Sequence, residues 1–130
     1  MADLRFNDKN NQKKEISVFA SGVIETSAAM SDTLFTLPEA SLVTRAYAVV
    51  LTASGATADT VDIKVGSAVI GDEVKVGVTG VQEGTQNMRY FPTGGTVTIV
   101  AGSDAPDAAG RIKVVVEYIE TELSEGTYTD

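Results

Sequence analysis

The chain has 130 residues, a length for one domain, and 43% of them are hydrophobic, which is enough material for a core. Eighteen acidic against ten basic residues leave a formal charge of −8, which argues against non-specific nucleic-acid binding, because phosphate contact needs clustered Lys and Arg. Cysteine and histidine are both absent. That excludes a disulfide framework, a thiolate metal site, and the commonest general base and metal ligand.

Residues 1–14 carry no sustained periodicity and read as an N-terminal arm. Arg5, Lys9, Lys13 and Lys14 against Asp3 and Asp8 give it a charge of +2, while the remainder carries −10. Leu4 and Phe6 are spaced to share one face of a strand. The arm is either a frayed terminus or a segment that orders against a partner. Its polar character, without a signal-peptide apolar region, predicts a protein made in the cytoplasm. No apolar run reaches the length of a membrane-spanning helix, so no membrane partner is expected.

From Glu15 to Glu25 a first strand is predicted, with Ile16, Val18 and Ala20 alternating with Ser17, Phe19 and Ser21. Gly22 interrupts it as a bulge or bend. A loop or helical turn over residues 26–33 precedes a short strand, Leu34 to Leu37, and a turn at Pro38-Glu39-Ala40-Ser41. Leu42 to Ala53 is the second strong strand, apolar on both faces and therefore expected to be central and covered on both sides. Val61, Ile63 and Val65 alternate with Asp62 and Lys64, the pattern of a half-exposed strand. Gly66-Ser67 and Gly71-Asp72 are expected turns. Val74, Val76 and Val78 are expected to point inward from the next strand, and Gly80 to Gln86 reads as loop. Short strands follow at Met88 to Phe91 and Thr96 to Val100, then a turn-rich loop from Gly102 to Gly110.

The longest clean strand signal is Gly110 to Glu120. Ile112, Val114, Val116 and Tyr118 make one apolar face, and Lys113, Val115, Glu117 and Ile119 a mixed one. Val115 and Ile119 are more apolar than a solvated face needs, which marks them as candidate oligomer-interface residues. Residues 121–130 form an acidic tail without Lys or Arg. About eight short strands separated by turns predict an all-β domain over residues 15–120, an antiparallel sandwich of jelly-roll-like type.

Catalytic chemistry finds few of the groups it needs. A serine nucleophile has no histidine, and the lysines of the strand region, Lys64, Lys75 and Lys113, sit at outward positions. Glu120 with Glu122 and Asp104 with Asp107 are carboxylate pairs without a recognisable cleft. The Asp104–Asp107 loop lacks calcium-hand spacing, though a loose surface calcium site has oxygen ligands there. No cofactor and no dedicated metal site are expected.

Two stretches bear a resemblance. Leu37-Pro38-Glu39-Ala40-Ser41-Leu42-Val43-Thr44-Arg45-Ala46-Tyr47 enters an aromatic-bearing strand through a Leu-Pro turn, and Gly110-Arg111-Ile112-Lys113-Val114-Val115-Val116-Glu117-Tyr118 ends the sheet. Over residues 34–120 the chain resembles the head decoration, or capsid cement, proteins of tailed bacteriophages. It departs from them in the turn Pro38-Glu39-Ala40-Ser41, where a glycine is expected. The resemblance implies an all-β, often jelly-roll-like fold, no catalysis, and attachment to a capsid lattice, commonly as a homotrimer. The implied partner is the major capsid protein and the implied location the virion surface. On this reading the arm residues Leu4, Arg5, Phe6, Lys9, Lys13 and Lys14 are the candidate capsid-binding set. The alternative is a phage tail, fibre or adhesion module binding a host glycan or protein, with Tyr90, Phe91 and Tyr128 as its contacts.

Overall fold

A computed structural model of the chain describes residues 15–121. Among them lie eleven strands and no helix: β1 (Ser17–Ala20), β2 (Ile24–Glu25), β3 (Ser31–Leu37), β4 (Ser41–Thr52), β5 (Thr60–Val65), β6 (Ala68–Lys75), β7 (Gly80–Gln82), β8 (Thr85–Gln86), β9 (Arg89–Phe91), β10 (Gly95–Ala101) and β11 (Arg111–Glu120). They make two antiparallel sheets. One runs β9-β4-β11-β1, with β2 also paired to β11 and β7 to β4; the other runs β3-β10-β5-β6-β8. The expected all-β antiparallel sandwich is the fold. The strands beyond the expected eight include β2, β7 and β8, each only two or three residues long and too short to show a period-2 pattern.

The core lies between the sheets. Ile112, Val114 and Val116 of β11 are fully buried, with Tyr118 6% exposed, as their alternation predicted. Across the gap Val61 and Ile63 of β5 and Val97 and Ile99 of β10 are equally buried. These side chains are mostly β-branched, and they suit strands because the pleated backbone restricts χ1 little further than branching already does.

β4 lies inside its sheet, between β11 on one side and β7 and β9 on the other, so its central place agrees with expectation. Its outer face is only half-covered, however, and Leu51 is 50% exposed. Two bulges shape it. Glu117 pairs Arg45 and Tyr118 pairs Val43, leaving Thr44 extra; Ile112 pairs Val50 and Arg111 pairs Thr52, leaving Leu51 extra. The first bulge switches the side-chain phase, which is why Val43 and Ala46 are both buried although they stand three positions apart. Thr44 Oγ1 donates to the Glu117 carbonyl at 3.2 Å, holding the bulge.

Four local expectations need correction. The turn expected at Gly71-Asp72 is strand, because β6 passes through two bulges there: Ile70 is extra opposite β5, and Asp72 and Glu73 together face Asp62. Glu73 takes φ 56° at the second. Val78 is 44% exposed, since β6 ends at Lys75 and the chain turns before reaching it. Residues 31–33 extend β3 rather than forming a loop. The first predicted strand is two, broken at Gly22; Phe19 turns inward and stacks on Phe35 and Tyr118 at 5.1 and 5.3 Å between centroids, while Ile16 and Val18 remain exposed. In the turn Pro38-Glu39-Ala40-Ser41, where a glycine was expected, Ala40 sits in the left-handed region at φ 58°.

Candidate functional site

Register places the apolar residues of the six-stranded sheet's outer face side by side. Val115 lies between Ala20 and Tyr47, Val49 lies between Lys113 and Val81, and Ile119 lies beside Leu42, which faces Tyr90. Val18 and Val81 are 54% and 57% exposed. Val115 itself is 8% exposed, covered by its cross-strand neighbours, and Ile119 is half-buried. The face thus carries apolar side chains on β1, β11, β4 and β7, with Lys113, Glu117 and Arg45 set among them.

Arg45 organises the polar part of this face. Its Nε donates to Glu83 Oε2 at 2.9 Å, a second nitrogen also reaches Glu83, and a third lies 3.4 Å from Glu117. The guanidinium stands over the Tyr47 ring, 4.2 Å from its centroid. The hydrogen bond with Glu83 raises the Arg45 pKa further. Tyr47 Oη donates to Glu117 at 3.4 Å. An arginine stacked and forked in this way is pre-organised, a property typical of contact surfaces.

The second cluster sits at the end of the sandwich where β4 leaves its sheet and β11 begins. Ser54, Asp59 and Thr26 are buried there. Ser54 Oγ lies 2.6 Å from Asp59 Oδ2 and accepts the Asp107 N–H at 3.1 Å. The Asp107 carboxylate accepts N–H groups from Gly55 and Ala109, both at 3.0 Å, and these hold its pKa below the usual range. Thr26 Oγ1 donates to the Asp107 carbonyl at 2.6 Å and accepts the Gly110 N–H at 3.0 Å. The sequence shows residues 102–110 as a turn-rich loop with Asp104 and Asp107 in it, but not this network. Small polar residues in two distant loops carry no periodic signal.

Asp62, Asp72 and Glu73 bring carboxylate oxygens within 4.8 Å of one another, close enough to hold a cation. Two of these carboxylates, Asp62 and Glu73, already accept hydrogen bonds. Asp62 Oδ1 accepts the Glu73 N–H at 2.8 Å, and Glu73 accepts from Thr60 Oγ1 at 3.0 Å, from the Ser103 N–H at 3.1 Å and from the Ser103 hydroxyl. Burial pushes the Asp62 pKa up, and the Ser103 hydroxyl pulls that of Glu73 down. The arrangement is a brace tying the 102–104 loop to the β6 bulge. Asp107 is likewise engaged as a loop brace.

Of the other sequence candidates, Lys75 and Lys113 are exposed and Lys64 half-buried. Tyr90 is 43% exposed and Phe91 packs against the core. Leu4, Arg5, Phe6, Lys9, Lys13, Lys14, Glu122 and Tyr128 lie outside the described residues.

No protein-family model and no curated protein matches the chain. Among solved structures, a chain of the cyanophage Pam1 capsid asymmetric unit is similar in fold, with a TM-score of 0.60 and 20% identity over 82% of this chain and 85% of that one.

Proposed function

We propose that the chain is a structural protein of a bacteriophage virion that binds the outside of the capsid lattice and stabilises it, as head decoration proteins do. The observation carrying this is the fold shared with a chain of a cyanophage capsid asymmetric unit over most of both lengths. The apolar outer sheet face supports it, because a free monomer gains nothing from Val18, Val49, Val81 and Leu51 at its surface, whereas a lattice-bound subunit buries them. Copies would pack as a homotrimer through this face around Val115 and Ile119, with the major capsid protein beneath. Residues 1–14 would supply further contacts within the shell. The protein would act without catalysis and without a cofactor. By binding the assembled shell and not its dissociated subunits, it would shift the assembly equilibrium by mass action.

The test is to add purified protein to shells lacking it, then count bound copies and follow shell disruption on heating. Saturable binding at a fixed number of copies per capsid subunit, with disruption moved to higher temperature, is the expected result. A few copies per particle, located on the tail, would favour a tail or adhesion module instead.

A further inference from the structure

Among the described residues, the two sheets end on the same side of the sandwich in edge strands with one partner each. Among the described residues, β1 and β2 pair only with β11, and β3 pairs only with β10. Phe19 of β1 stacks on Phe35 of β3, so the edges face each other. Beyond that contact they part, leaving an open groove of about 510 Å³ lined by residues 21–25 and 32–34. Its apolar lining is Val23, Ile24 and Leu34, with Glu25 and Asp32 beside them. β3 is a seven-residue edge with no Lys and no Pro inside it, so the usual guards against strand addition are reduced to Asp32 and one bulge at Leu34.

The geometry points to this groove as the docking site for residues 1–14 of a neighbouring copy, added as an extended strand along β3. Strand addition needs a segment with apolar side chains at alternate positions, and Leu4 and Phe6 flanking Arg5 supply that pattern. Charge agrees. The segment carries +2, whereas residues 15–121 hold thirteen acidic and six basic residues, a balance of −7. Fourteen extended residues span about 46 Å, longer than any strand of the sandwich and enough to reach another subunit.

The chain's own segment fits less well. Its turn-forming residues are at Asn10-Asn11, and a hairpin there sets Leu4 opposite Ser17, short of the groove that begins at Ser21. A turn close enough to bring Phe6 level with Glu25 would fall at Glu15-Ile16, which holds no Gly, Asn, Asp or Pro. An arm given to one neighbour and a groove filled by another is a head-to-tail contact, which closes naturally into a ring of copies.

The absence of native cysteine makes the test clean. One full-length variant carries Phe6→Cys and a second carries Val23→Cys, at a groove position 47% exposed. The two are mixed and oxidised gently, with Ser67→Cys on the exposed β5–β6 turn as the control acceptor. A mixed disulfide forming several-fold faster with Val23→Cys than with Ser67→Cys is expected. Equal rates overturn the proposal. So does a double Phe6→Cys, Val23→Cys chain that closes on itself at high dilution as readily as it links to another. Shell binding by a protein that fails this test would leave the capsid reading intact, so the two readings fail separately.

Discussion

Shortening Val116 to alanine tests the division of faces on which the rest depends. Val116 is fully buried and pairs with Ala46 on one side and Phe19 on the other. Phe19 bridges to Phe35 of the facing sheet, so a void at Val116 sits beside the aromatic contact that closes the sandwich. Removing two methyl groups loses about 1.6 kcal/mol of transfer free energy at ~0.8 kcal/mol each. The unfilled space brings the total to about 2–3 kcal/mol. A domain of this size has about 5–15 kcal/mol in all and loses about 4 °C per kcal/mol, so Tm should fall by about 8–12 °C. Urea unfolding followed by far-ultraviolet circular dichroism should show a lower midpoint at unchanged slope. Val18→Ala is the control. Val18 lies one position away on β1 but is 54% exposed on the outer face, so its loss should stay within about 0.5 kcal/mol. Equal midpoints for the two variants would refute the face assignment of β1 and β11.

Ser54→Ala should cost about 1–3 kcal/mol in the same assay, because Asp59, 7% exposed, loses its closest donor. Glu73 is held below the ordinary glutamate value of 4.5, first by the Ser103 hydroxyl, so it stabilises the fold above that value and the contribution fades as pH falls through its folded pKa. Thermal melts of Glu73→Gln should therefore lie below wild type at neutral pH and converge with it in acid. Asp62 has the opposite sign: burial raises its pKa, so ionisation costs stability, and Asp62→Asn should gain on wild type as pH rises through the carboxylate range while an amide oxygen still accepts the Glu73 N–H. Ala40→Gly relieves a left-handed alanine, worth about 1–2 kcal/mol, against about 0.5–1 kcal/mol of added chain entropy, so its melt should rise slightly or stay level. Val81→Asp, at an exposed position on the outer face, should leave the fold intact and lower the mass seen by light scattering toward the 13.6 kDa of one chain.

Strands whose alternation runs unbroken were legible from the residues alone. β11 keeps one phase over Ile112, Val114, Val116 and Tyr118, and all four are buried. β5 does the same with Val61, Ile63 and Val65. Legibility failed where a bulge resets the phase. In β6 the glycine at position 71 looked like a turn, yet its lack of a side chain serves a close approach: a Cβ there would lie 3.3 Å from the Ala46 carbonyl of β4. Two meanings of glycine, turn and near contact, share one letter, and only the opposing strand tells them apart. At Ala40 the reverse holds. The turn takes a left-handed residue without a glycine to announce it, and the Ala40 N–H and carbonyl are fixed by Pro92 and Thr121.

The candidate surfaces were less legible than the fold, for a related reason. A catalytic centre needs particular residue types, and the missing histidine and cysteine could be read at once. A contact face needs only apolar side chains left uncovered, and which ones those are depends on register. Val115 and Ile119 drew attention because they stand among charges, yet register covers Val115 with Ala20 and Tyr47 and leaves Val18 and Val81 exposed at 54% and 57%. The apolar residues of the outer face run across β11, but their exposed area lies on β1 and on β7, which the sequence read as loop. The groove at β3 belongs to neither strand pattern alone. It exists because, among the described residues, β3 takes no partner but β10 and β1 none but β11, so both sheets run out on the same side. That is a property of topology, and it places the edge of β3 that the other described strands leave unpaired next to Glu25 and Asp32, where the proposed arm, with Leu4, Arg5 and Phe6, would find both hydrogen-bonding groups and opposite charge.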